Sequence, residues 1–249
     1  MPHRIFFFHN PKAGGTSAVD ALSALFPRER RCPGIENDAT QHRLRGGNYE
    51  TFRGYEFYAG HYGFEIYRAV GEFIPAVTNL RWPVDRIVSL YRYFRHMVDI
   101  SDAEAKDPRF LAVVLAKRLS LDDFVTCDEP AVRLHTCDHH FRQLTGSGWS
   151  SETTRTLNDA RGLIARMAWF YICEQPDESM AWASSVFSGR LTELPRLNVT
   201  RPAEPGEDLL GRAADRRLIL QNQNDIAIYD YALQRMFAET SFMAQQLRA

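Results

Sequence analysis

Phe6-Phe7-Phe8-His9-Asn10-Pro11-Lys12-Ala13-Gly14-Gly15-Thr16-Ser17 is an apolar run that stops at a Pro-Lys, passes through two glycines and enters a helical pattern. Behind it Ala18, Val19, Leu22, Leu25 and Phe26 recur at helical spacing until Pro27 stops them. The stretch reads as a short buried strand over Arg4–His9, a tight turn and a helix N-terminus. The N–H groups of a first helical turn have no intrahelical acceptor, and the helix dipole favours negative charge, so the turn is a candidate anion site. Lys12 strengthens that reading. The chain carries 30 basic residues, yet its only lysines are Lys12, Lys106 and Lys117, so a lysine inside a glycine turn stands out. A compact ammonium suits point contact with a phosphate or sulfate oxygen.

Further strands are expected at Phe57–Ala59, ending at Gly60-His61, at Ile74–Leu80, ending at Arg81, and at Met167–Cys173. Pro83 fits the first turn of a helix whose buried face is Ile87, Leu90, Tyr91, Phe94 and Met97. Residues 100–165 read as mainly helical, and Glu178–Phe187 as another helix. After a loop at Pro195–Gly206 come two more helices, with Asn224 as the expected cap of the last. Apolar strands alternating with helices predict an α/β fold: a parallel sheet flanked by helices in three layers. Ligands in such sheets sit at the carboxyl ends of strands, and Lys12, His61 and Arg81 all follow such ends. The expectation is one domain over residues 1–249, with the Arg-rich excursion 28–53 and the region 100–150 as insertions on the acceptor side.

Composition limits the partners. A net charge of −1 argues against a general nucleic-acid or polyanion binder, so any anion site is local. No apolar run is long enough to span a membrane as a helix. Cys32, Cys127, Cys137 and Cys173 form no CxxC pair, which favours reduced thiols.

The turn is not a Walker A loop, because its lysine precedes the glycines, and no Walker B carboxylate is evident. His9-Asn10-Pro11-Lys12-Ala13-Gly14-Gly15-Thr16-Ser17 instead resembles the 5′-phosphosulfate loop of the PAPS-dependent carbohydrate sulfotransferases. Asn79-Leu80-Arg81-Trp82-Pro83-Val84-Asp85-Arg86-Ile87-Val88-Ser89-Leu90-Tyr91 is similar to that family's 3′-phosphate segment. Gly60-His61-Tyr62-Gly63-Phe64, Leu197-Asn198-Val199-Thr200 and Asn224–Ala232 follow in the family's order. Trp82 and Asn10 depart from the usual residues, and neither removes a proposed phosphate ligand.

The resemblance implies a P-loop NTPase-like sulfotransferase fold. It also implies transfer of a sulfuryl group from PAPS to a hydroxyl of a sugar or small metabolite, releasing PAP, with no metal required. It places Pro11, Lys12, Ala13, Gly14, Gly15, Thr16 and Ser17 on the 5′-phosphosulfate, and Arg81 and Ser89 on the 3′-phosphate. Asn198, Thr200 and Arg201 fall in the loop that closes on the nucleotide. Lys12 would act on the leaving oxygen and His61 as base, with Glu65 as the rival base. Family members that modify secretory glycans carry an N-terminal anchor. The first strand here begins by residue 4, so the expectation is a cytoplasmic enzyme with no nucleic-acid or membrane partner. The acceptor and the oligomeric state stay open. The alternatives are a P-loop-type nucleotide kinase and a catalytically silent PAP-binding module.

Each assignment has a plainer rival. Arg81 would serve as a structural ion pair with Asp85 or Asp225, and Ser89 as a helix-surface serine. His135-Thr136-Cys137-Asp138-His139-His140 has the residue types of a zinc site, but Leu134, Phe141 and Leu144 at helical spacing favour a structural or acceptor-side helix.

Overall fold

The computed structural model describes residues 2–33, 52–61, 63–71, 73–146, 155–195 and 210–246. In chain order, Ile5–Phe8 (β1) leads into Gly15–Ser23 (α1), then Phe57–Gly60 (β2), Phe64–Gly71 (α2) and Ala76–Leu80 (β3). Pro83–His96 (α3), Leu111–Arg118 (α4), Leu121–Thr126 (α5), Pro130–Thr136 (α6), His139–Thr145 (α7) and Leu157–Arg166 (α8) follow. Trp169–Ile172 (β4), Pro176–Val186 (α9), Arg212–Gln221 (α10) and Gln223–Gln246 (α11) complete the order. Each expected strand is present: β1, β3 and β4 are two or three residues shorter than expected, whereas β2 runs one residue further, to Gly60. The described residues fall into two compact units. One lies within residues 1–81, 140–198 and 228–249, the other within 82–139 and 199–227.

The first unit holds a four-stranded parallel sheet in the order β2-β1-β3-β4, flanked by helices. All four residues of β1 are fully buried, which requires cover on both faces of the strand because alternate side chains point to opposite sides. β4 is an edge strand, and α9 shields it. The Trp169 indole donates to the Ser179 carbonyl at 2.8 Å, and the Ile172 N–H donates to the Ser179 hydroxyl at 3.0 Å. Phe170 meets Trp182 edge-on, so side chains from both faces of β4 reach one helix and the strand offers less open backbone. On the other edge the chain returns at Arg31 to bridge Phe57 in parallel, and the Cys32 N–H donates to the Phe57 carbonyl at 2.8 Å. That end of the 28–53 excursion is therefore fastened to the sheet; residues 34–51 lie outside the described residues.

The second unit is helical. Ile87 and Tyr91 of α3, Ala116 of α4, Phe124 of α5 and Leu218 of α10 share its core. Arg95 caps the end of α4: its Nη1 donates to the Ala116 and Leu119 carbonyls, both at 2.9 Å, and the Tyr91 hydroxyl donates to the Leu119 carbonyl as well. Asn224 is not the cap of α11. The helix begins at Gln223, and the N–H groups of Asn224 and Asp225 both donate to Asp138 Oδ1 at 3.1 Å. The Asn224 side chain also donates to Asp138, so a remote carboxylate takes the role that proximity in sequence suggested for Asn224. Among the described residues no helix is long and apolar enough to cross a membrane.

Candidate functional site

The sheet order decides where a ligand fits. β1 runs on to β2 at one edge, whereas β3 runs on to β4 at the other, so the connections diverge between the carboxyl ends of β1 and β3. Such a divergence opens a crevice that parallel sheets use for binding. Lys12 follows β1, and Arg81 follows β3. Arg81 Nη1 reaches the Lys12 carbonyl at 3.4 Å, a long contact that brings the guanidinium to the turn. Burial holds the Lys12 ammonium below the ordinary lysine range, and the neighbouring Arg81 guanidinium adds to the effect.

The turn takes its shape from two kinds of constraint. Lys12 itself adopts a left-handed backbone, φ +65°, and Gly14 another, φ +74°. A non-glycine residue in that region costs on the order of 1 kcal/mol, strain of the kind that concentrates at functional sites. Asn79, fully buried on β3, clamps the turn. Its Oδ1 accepts the Asn10 N–H at 2.8 Å, while its Nδ2 donates to the carbonyls of Asn10 at 2.7 Å and Ala13 at 2.8 Å. With those carbonyls held inward, the turn runs straight into α1. The first helical bond is Ala18 N–H to the Gly14 carbonyl, so the N–H groups of Gly15, Thr16 and Ser17 precede it. Gly14 is the helix cap and offers no side chain, so neither Thr16 nor Ser17 serves as the cap residue. Asn79→Leu strips three hydrogen bonds from a buried turn. It is expected to destabilise the protein by about 3 kcal/mol, read as a drop in denaturation midpoint at unchanged slope.

His61 follows β2 and lies at the same end of the sheet. Its Nδ1 meets the His9 carbonyl at 2.9 Å, and its ring packs on the His9 ring with centroids 4.3 Å apart. A carbonyl only accepts, so Nδ1 carries a hydrogen, and in the neutral ring Nε2 holds the basic lone pair. Glu65, in the first turn of α2, has its Oε1 buried with no donor from the described residues. A Cβ placed on Gly146 would meet that carboxyl carbon at 2.8 Å, so Gly146 packs directly on the carboxylate.

Pro11, Lys12, Ala13, Gly14, Gly15, Thr16, Ser17, His61 and Arg81 thus belong to one unit. Ser89 lies in the second unit, on α3, where it is buried and not the surface serine of its plainer reading. Asn198, Thr200 and Arg201 lie outside the described residues, as does Tyr62. Among the described residues no three His, Cys, Asp or Glu side chains gather to hold a metal ion. His135 packs edge-on against Phe94, and its carbonyl takes a hydrogen bond from Arg86 at 2.8 Å. All four cysteines are free, and burial pushes the Cys32 and Cys173 thiols up to about 12.

Two residues of the turn's framework carried no assigned role in the sequence. Asn79 is one; a polar residue inside the buried strand Ala76–Leu80 was its signal, since buried amides seek partners. His9 is the other: its ring fills the space beside Gly15 that any side chain at that position would need. The chain matches no family model and no curated protein.

Proposed function

We propose that the protein is a sulfotransferase that moves a sulfuryl group from PAPS to a hydroxyl of a sugar or small metabolite, on a P-loop-like sulfotransferase fold. The observation that carries this reading is the pairing of Lys12 and Arg81 beside a clamped glycine turn, in the crevice where the strand connections diverge. Two adjacent cations that disfavour one another are stabilised by an anion, and the turn precedes a helix N-terminus. The order of lysine and glycines speaks against a Walker kinase. The motif alone assigns Arg81 and Ser89 to a 3′-phosphate, and Asn198, Thr200 and Arg201 to the nucleotide.

In the proposed step the acceptor oxygen attacks sulfur and forms the new S–O bond. The bond from sulfur to the bridging oxygen breaks, and PAP leaves with the electron pair. Lys12 and the N–H groups of the turn stabilise the charge that builds on that bridging oxygen. The acceptor's proton passes to His61 Nε2, the nitrogen that the His9 carbonyl leaves basic. A sulfuryl group carries less charge than a terminal phosphoryl group, so these cations meet the electrostatic demand without a metal.

A thermal-shift comparison of PAP, ATP with magnesium, and AMP tests the reading. At a hundredfold excess over its Kd, PAP is expected to add about 2.7 kcal/mol of stability, and the other two much less. Equal or greater stabilisation by ATP with magnesium would favour the kinase. PAP binding with no sulfate transfer to a broad hydroxyl panel would favour the silent module.

A further inference from the structure

Gln143, on α7, is fully buried in the sheet unit. Its Nε2 donates to the His9 carbonyl at 3.0 Å, which fixes the orientation of the amide. Oε1 therefore faces away from His9, where it is buried and accepts no hydrogen bond from the described residues. An amide oxygen buried without a donor costs about 1–3 kcal/mol. On packing grounds an apolar side chain of equal length would serve better, so the reason for a glutamine here lies in its donor.

That donor shares its acceptor with His61, whose Nδ1 meets the same oxygen at 2.9 Å. A carbonyl oxygen has two lone pairs, and Gln143 and His61 take one each. The bond from Nδ1–H is stronger when the ring is imidazolium than when it is neutral, because charge-assisted hydrogen bonds are roughly twice as strong. A carbonyl already engaged by an amide attracts the imidazolium less.

We infer that Gln143 is a positioning residue for His61: by occupying one lone pair of the His9 carbonyl it disfavours the imidazolium form of His61 and leaves Nε2 as the nitrogen that accepts a proton. The meaning of that proton acceptor rests on the proposed sulfuryl transfer; the hydrogen-bond chain itself does not. Among the described residues, His9 is an ionisable group in ring contact with His61. Gln143 is uncharged, so a neutral replacement alters the hydrogen bond and leaves the charge around the two rings as it was.

The test is Gln143→Met in the full chain, with His61 followed by NMR titration and its resonance identified by its loss in His61→Gln. The titration midpoint of His61 is expected to rise by about half a unit, with a melting temperature that holds or increases. Where the wild type transfers sulfate, the acidic limb of its kcat/KM profile is expected to move by the same amount. An unmoved or lowered midpoint, or a large loss of stability in both Gln143→Met and Gln143→Leu, would overturn the inference and make the amide structural. Wild-type protein that binds no PAP would overturn the sulfotransferase reading and leave the titration result standing.

Discussion

Lys12→Met is expected to lower kcat for sulfate transfer by about 10²–10³-fold while the melting temperature holds or rises. The two effects have one origin. Burial and the Arg81 guanidinium depress the Lys12 pKa in the folded protein below the ordinary lysine value of 10.5. The unfolded chain therefore takes up the proton first as pH falls from above 10.5, and the folded state is penalised. That penalty is complete once pH lies below the depressed folded value, and it disappears above the unfolded one. At neutral pH the charged lysine thus works against the empty fold, and a methionine of similar length removes the cost. A bound anion reverses the balance by favouring the ammonium, so PAP binding is expected to take up protons at alkaline pH and to weaken as pH rises through the Lys12 pKa. Calorimetric titration in two buffers of different ionisation enthalpy reads the proton uptake directly. A Lys12→Met protein that melts much lower than wild type, with PAP affinity unchanged, would show Lys12 to be structural.

Gly15→Ala is expected to cost the most stability of any single methyl added to the turn, about 3 kcal/mol or more. The new Cβ would overlap the His9 ring and lie 2.9 Å from Asn79 Nδ2. Neither neighbour can yield freely. The His9 ring stacks on Phe7 and packs against the tilted His61 ring, and Asn79 is committed to three hydrogen bonds. In a chain of this size the melting temperature would fall by about 6–12 °C. Gly14→Ala differs in kind: its obstacle is the left-handed backbone, with Tyr171 Cε1 at 3.0 Å. Adjacent glycines therefore meet separate requirements, one for space and one for conformation. A double mutant with His9→Ala is expected to recover part of the Gly15→Ala loss, and strict additivity would show that the ring is not the obstacle.

The strand-turn-helix unit was legible because its signals are local: an apolar run, two glycines and a helical repeat within one short stretch. The carboxyl ends that carry Lys12, His61 and Arg81 followed from the alternation of strands and helices. What the sequence did not disclose are pairings over long separations. Asn79 reaches the turn across 69 residues, and Asp138 caps α11 across 86. Asn224 was the natural cap by position, yet a carboxylate bound to two N–H groups satisfies the helix better than the adjacent amide does. The division into two units was equally hidden, because the boundary beside Arg81 falls between a strand and a helix with no loop-like composition to mark it.

The sheet is also assembled out of sequence order, with consequences for how the chain folds. β1, β2 and β3 come from the first 80 residues, whereas β4 pairs with β3 only after the chain has passed through most of the second unit. Closing a loop that long is entropically slow, and helices that form within it shorten the effective span. β4 is then the last strand to join. Tyr171 and Cys173, which back Gly14, arrive with it. A nascent chain can thus form the phenylalanine strand and its glycine turn early, yet the side chains that back Gly14 are added only once synthesis has passed Cys173 of the 249 residues.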